Sequence, residues 1–362
     1  MACDQFIQIV EETTRGTDPG SGYLSLPVMS TLLPTFSPTD ESRKEFRGAC
    51  TGLGDTSAIR RESQWSYSLE CAYYPGAETG LLFKHLLGKS VTRSVVDTSA
   101  YEGINYPLVQ PFGTGRELVD KAVGIYVVYE KEGTSYKRYY GGGRIQSCTV
   151  AAEGTDDVKL TFEITGPGEY IGSEASNDLT FTAPTPTPFV SSDILAYIGA
   201  GITRTGTAPD YTALAPNTMN AFRPDSINIT ITNGLADKVV MDGVKGPNKT
   251  TREGQFAVEC SFPIDLADPS SGFSSWDEYA ALFAGTHTNS VLVVMDNGEA
   301  AGDTTSNYET IIDLANLLAN HDTPEISAEG QQGTVSLTYT SLYSDTTEYP
   351  VAVFTTDKAS AY

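Results

Sequence analysis

A chain of 362 residues, 40% apolar and 10% aromatic, carries core-forming material for two to three domains of ~100–200 residues each, which excludes a disordered chain or a single small module. Acidic residues outnumber basic ones 46 to 23, and the formal charge of −23 repels phosphate, so specific nucleic-acid binding is not expected. No run reaches the ~20 consecutive apolar residues of a membrane helix, so no membrane partner is expected either.

The opening Met1-Ala2-Cys3-Asp4 lacks a basic region, and Glu11-Glu12 arrives before any long apolar run, so it does not read as a signal peptide. From Gln64 to Cys71 polarity alternates: Trp65, Tyr67, Leu69 and Cys71 share one face, and Ser66, Ser68 and Glu70 the other, as in a half-buried strand. Thr79 to Leu87 reads as a short helix stopped by Gly88 in the left-handed conformation. An apolar strand, Val123 to Tyr129, follows, then Tyr140 to Cys148 and the alternating Val158 to Thr165. Ala183-Pro184-Thr185-Pro186-Thr187-Pro188 has no apolar period and reads as an extended linker. Beyond it, Ile227 to Ile231 alternates again. Ser275-Trp276-Asp277-Glu278 opens a second short helix with a capping box, running through Phe283 to near Gly285. Val291 to Met295, Tyr308 to Leu314 and the alternating Val335 to Thr340 complete a mainly β chain, punctuated by 34 glycines and 19 prolines.

The order of elements repeats on the two sides of the linker. Arg61-Glu62-Ser63-Gln64-Trp65-Ser66 returns as Arg252-Glu253-Gly254-Gln255-Phe256-Ala257, and Leu69-Glu70-Cys71 returns two residues closer as Val258-Glu259-Cys260, an even gap that keeps the strand phase. The expected organisation is a first domain over 1–182, a Pro/Thr linker over 183–190 and a second domain over 191–362. For Ser191 to Asp225, rich in Gly, Ala, Pro and Thr, no match is assigned.

Candidate chemical sites fail one by one. Gly141-Gly142-Gly143 lacks the following helix and the spacing of a phosphate loop, and reads as a strand-end bulge or turn. His85, His287 and His321 stand alone, without metal-ligand spacing, and His85 reads as a packed or interfacial residue. Asp296-Asn297-Gly298-Glu299, with Asp303, misses calcium-loop spacing and reads as a hairpin turn. Cys3, Cys50, Cys71, Cys148 and Cys260 form an odd, scattered set without a CxxC pair and read as reduced thiols. No catalytic, cofactor-binding or metal site is assigned, and no enzyme activity is expected.

With its elements placed twice, the chain resembles the tail tube (major tail) proteins of long-tailed, non-contractile bacteriophages, in a duplicated two-domain form. Glu11-Glu12-Thr13-Thr14-Arg15-Gly16-Thr17-Asp18-Pro19 resembles the Glu-Thr-x-x-Gly-Thr-x-Pro opening of that group. Arg61 to Cys71 with Leu81 to Gly88, and Tyr139 to Val150 with Val158 to Gly166, are similar to its next stretches. The resemblance implies two tandem β-sandwich or half-barrel domains, each with one short flanking helix. It also implies stacked rings forming a hollow tube that delivers DNA, with three chains giving six pseudo-equivalent places. A tape measure protein and a tail terminator are the implied partners, double-stranded DNA passes without specific binding, and no sheath is expected. The implied location is the virion tail, after synthesis in the host cytoplasm.

On this reading the wet strand faces line the channel. Ser66, Ser68, Glu70, Thr161, Glu163, Ala257, Glu259, Ser261, Thr334, Ser336 and Thr338 are the expected lumen-facing residues, with Lys159 the one basic exception. The alternative is a surface adhesin or glycan-binding β-sandwich, whose sheet would alternate in the same way.

Overall fold

A computed structural model of the chain describes residues 5–42, 58–95, 102–107, 122–131, 134–173, 180–241, 243–244, 246–252, 257–267, 269, 272–284, 289–301, 307–321, 323–326, 333–343 and 346–357. Cys3, Cys50, Glu253 to Phe256 of the repeated hexapeptide, Gly285, His287 and Asp303 lie outside the described residues.

The chain is mainly β. Its first half holds β1 (Gln5–Glu12), β2 (Leu24–Leu26), β3 (Thr35–Ser42), β4 (Ala58–Ala72), α1 (Ala77–Leu87), β5 (Val91–Val95), β6 (Glu102–Pro107), β7 (Ala122–Lys131), β8 (Thr134–Glu153), β9 (Lys159–Pro167) and β10 (Ile171–Ser173). The second half opens with β11 (Ile194–Gly199), β12 (Ile202–Thr207), β13 (Asp210–Pro216), β14 (Asn220–Phe222), β15 (Ser226–Thr232), β16 (Leu235–Val239) and β17 (Pro247–Arg252). It continues with β18 (Ala257–Asp265), α2 (Ser275–Ala284), β19 (Asn289–Ala300), β20 (Asn307–Ala319), β21 (Thr334–Ser341) and β22 (Val351–Asp357).

The alternating strands of both halves join into one antiparallel sheet, in the order β3-β4-β9-β8-β15-β18-β21-β20. Behind it stand two outer layers, β2-β1-β7-β8-β10 and β14-β11-β19-β20-β22-β6-β5. Between the layers a single core packs Trp65, Tyr67, Leu69, Phe162 and Ile164 with Ile7, Ile9 and Val127, and continues through Ile229, Phe262 and Leu337 to Val293 and Ile312. Each such side chain contributes about 1.5–3 kcal/mol on full burial.

Strands β8 and β20 belong to both an outer layer and the alternating sheet, and each bends at a residue of positive φ, Gly142 (73°) and Asn316 (51°). Glycine and asparagine tolerate that region best. Gly141-Gly142-Gly143 is therefore a bend in mid-strand and not a strand end. Close approach adds a second requirement: the Trp65 indole donates to the Gly141 carbonyl at 3.0 Å, and a Cβ on Gly166 would lie 2.6 Å from its ring.

Both helices form where the apolar pattern places them, and Gly88 closes α1 at φ 97° with its N–H on the Lys84 carbonyl. The cap of α2 differs from the expected one. The Asp277 N–H donates to Ser274 Oγ at 3.0 Å, one residue early, while the buried Ser275 hydroxyl donates to the Asp265 carbonyl at 2.8 Å and so ties the helix to β18. Asp296 to Glu299 is likewise not the hairpin turn. It is a bulge inside β19, where pairing with β20 shifts between Asp296 and Ala300 and the Gly298 N–H donates to Asp296 Oδ1 at 2.8 Å.

Residues 191–225, to which the sequence assigns no match, form β11, the β12–β13 hairpin and β14; β11 pairs with β19 as β1 pairs with β7, and β14 flanks β11 as β2 flanks β1. The hairpin covers the outer face of the second outer layer, where Tyr211 joins Leu292, Ile311, Ala352 and Phe354. Arg204 donates to both carboxylate oxygens of Asp313, at 2.8 and 2.9 Å, and Tyr349 donates to the same carboxylate at 2.6 Å. The Pro/Thr run is tied at its end: Phe189 is buried, and its N–H donates to the Tyr73 carbonyl at 2.9 Å. β5 and β6, although N-terminal to that run, complete the second outer layer through β6–β22 pairing.

Candidate lumen face and assembly edges

Each of the eleven expected lumen residues lies on one face of the joined sheet, and each is half-buried or exposed. Cross-strand pairing sorts them into rows. One row runs Glu70, Thr161, Thr149, Thr230, Glu259 and Thr340; the next on one side runs Ser68, Glu163, Ser147, Thr232 and Ala257. Ser68 donates to Glu163 at 2.6 Å, and Ser261 and Ser336 share a hydrogen bond at 2.9 Å. Ser147, Thr149, Asn228, Thr230, Thr232 and Thr340 belong to the same face, although only the alternation of Ser147 to Ala152 and of Ser226 to Thr232 could have announced most of them. Hydroxyls dominate, and Glu70, Glu163, Glu259 and Asp265 share the face with Lys159.

The two repeated glutamates are not equivalent in the fold. Ser66 faces Thr165, which faces Arg144, two residues past the Gly142 bend; Glu259 faces Thr340, which faces Leu318, two residues past the Asn316 bend. Glu259 therefore corresponds to Ser66. It shares a row with Glu70 because each successive group of four strands is staggered by the four residues from Ser66 to Glu70.

The sheet has two open ends. Among the described residues β3 pairs only with β4, and Leu318 and Ala319 of β20 only with β21. Both ends show apolar side chains: Phe36 is 41% exposed and Leu318 51%. Ile231, the residue corresponding to Phe36 in the second half, is fully buried where β15 pairs with β8.

A family model described as phage tail tube protein matches residues 4–341. The chain belongs to the phage tail tube protein family. No curated protein matches it at a significant level. Membership makes it a structural protein of the bacteriophage virion, with its place in the tail, and the layered β architecture agrees with a β-sandwich of tail-tube type.

The opening Glu11-Glu12-Thr13-Thr14-Arg15-Gly16 of this tail tube protein is a scaffold. The fully buried Glu12 carboxylate accepts from the Gly16 and Gly142 N–H groups at 2.6 and 2.9 Å and from the Tyr139 hydroxyl, so the anion at the glycine run is the chain's own. Burial raises its pKa, against those hydrogen bonds and nearby Arg15. Glu11 accepts from the buried Lys84 at 2.8 Å and lies 3.4 Å from His85 Nε2; burial lowers the His85 pKa, so this packed histidine stays neutral at pH 7.

Cys71, Cys148 and Cys260 are free and buried. Burial pushes the Cys71 thiol up to about 12 and raises the other two as well, which suppresses the reactive thiolate. Iodoacetamide at neutral pH is expected to leave all three unlabelled in the folded chain and to modify them after denaturation. Native labelling of any of them, read by peptide mass spectrometry, contradicts this packing.

Proposed function

We propose that three copies of the chain close edge to edge into a ring, that rings stack into a hollow tube, and that the hydroxyl-rich face lines the channel through which DNA leaves the capsid. The units are residues 1–182 and 191–362, joined by 183–190. The observation that carries the reading is the β8–β15 pairing, in which the last alternating strand of one half continues into the first of the next. The same pairing between β20 of one copy and β3 of the next would cover Phe36 as β8 covers Ile231, and would remove both open edges. Heterologous contacts of this kind generate closed rings when the rotation permits.

The stagger supports closure. Four residues per four strands, at ~3.3 Å per residue and ~4.8 Å between strands, correspond to a strand tilt of about 35°, at the edge of the 35–45° range of closed barrels. Carboxylates and hydroxyls on that wall hydrate a passing phosphate backbone without binding it. A tail without a sheath, a tape measure protein inside the tube and a terminator at its end complete the proposal.

Electron microscopy of concentrated protein and of virions is expected to show hollow cylinders containing the chain, with true three-fold and approximate six-fold cross-sections. Six full chains per ring would refute the stoichiometry alone. A persistent monomer that is absent from virion tails would refute the tube.

A further inference from the structure

The two helices occupy corresponding places, α1 after β4 and α2 after β18, yet their surroundings differ. α1 is buried from Thr79 to Leu87 because it lies between the halves. β2, β7 and β8 flank it on one side and β6 and β22 on the other, and Asn233, just past β15, donates to the Leu86 carbonyl at 2.8 Å. Among the described residues α2 is held on one side, where Tyr339 donates to Glu278 at 3.0 Å and Phe273 and Tyr279 pack on the core. Its other side presents Trp276, 43% exposed, and Phe283, 79% exposed. Tyr279 joins them into one aromatic row, with ring centroids 6.1 and 5.5 Å apart.

A matching cavity opens at the far end of the repeat. It measures about 850 Å³ and is lined by Leu32, Leu33, Tyr129, Tyr136 and Tyr140, together with Lys137 and Arg138. Tyr140, two residues before the Gly142 bend, pairs with Ile125, and Leu314, two residues before the Asn316 bend, pairs with Val291. By that register Tyr129, Arg138 and Tyr140 correspond to Met295, Ile312 and Leu314. Those three are sealed in the core that α1 shares, whereas Tyr136 is 59% exposed. Within the chain, then, a helix from one half helps to close the sandwich of the next, and among the described residues no helix closes the first sandwich in that way.

We propose that the Trp276–Tyr279–Phe283 row of one copy enters the Leu32–Tyr136–Tyr140 cavity of the next, the partner being a second copy of this chain. Aromatic rings at a well-packed contact supply large apolar area at low entropic cost. Charge agrees with the fit, since the exposed Asp277 in the first turn of α2 complements Lys137 and Arg138. The inference rests on the ring reading and adds the contact that the sheet edges do not describe.

Replacing Phe283 with the photo-crosslinker p-benzoylphenylalanine tests it. In assembled tubes, irradiation is expected to join position 283 to the peptide holding Leu32 and Leu33, or to the one from Tyr129 to Tyr140, of another copy. Cross-links from intact tubes to other surfaces of the chain, or to a different protein, overturn the inference and leave the tube standing. Should that variant not assemble, hydroxyl-radical footprinting of unmodified tubes decides: Trp276 and Phe283 lose their oxidation relative to the free chain if the contact exists, and undiminished oxidation overturns it. If the unmodified protein forms no tubes at all, the ring reading fails and takes this contact with it.

Discussion

Asp313→Ala is expected to cost about 3–5 kcal/mol of folding stability, the range for breaking a buried ion pair from one side. The Asp313 side chain is fully buried, and that of Arg204 is only 16% exposed. Removing the carboxylate leaves the guanidinium and the Tyr349 hydroxyl without their acceptor inside the layer beneath the β12–β13 hairpin. Most of the loss is desolvation left uncompensated, so a paired Arg204→Met and Asp313→Leu exchange is expected to recover much of it. Urea denaturation of the single and double variants measures both; a single variant within about 1 kcal/mol of the unmodified protein would show that the triad does not hold the hairpin down.

The second large effect is functional. Glu70→Lys with Glu259→Lys is expected to leave folding within about 0.5 kcal/mol, because neither residue is buried. Two substitutions in each of three proposed copies give six new positive charges per ring, in rows that otherwise carry hydroxyls. Lysines spaced along a channel attract phosphate, most strongly at low salt where screening is weak. Particles should look normal by microscopy, release DNA slowly and infect poorly, with partial recovery as ionic strength rises. Loss of tubes altogether would place these glutamates in a contact between copies instead.

Much of the wet face was legible from alternation alone, because a period of two at Gln64 to Cys71, Val158 to Thr165, Ile227 to Ile231 and Val335 to Thr340 allows only one dry face. Correspondence between the halves was less legible. Leu69-Glu70-Cys71 and Val258-Glu259-Cys260 match in letters, but strand equivalence is set by where partner strands bend, at Gly142 and Asn316, and no local pattern carries that information. The Arg204–Asp313 pair was invisible for a related reason: its members are 109 residues apart and meet only through an inserted hairpin. Nor could the capping serine be placed within one residue of its position while both Ser274 and Ser275 satisfied the pattern.

The β6–β22 pairing has a mechanical consequence. Inside one chain the halves are stitched through both layers, by β8–β15 and by β6–β22, the outer stitch being made by β6, which follows α1 and pairs with β5. After α2 only residues 285–288 precede β19, too few to build the same outer stitch. A three-copy ring would thus alternate stiff joints with compliant ones every sixty degrees. Bending of the tail, or hoop stress from DNA packed under pressure, would open the wall along three lines set 120 degrees apart, so an object that looks six-fold in projection would flex as a three-fold one.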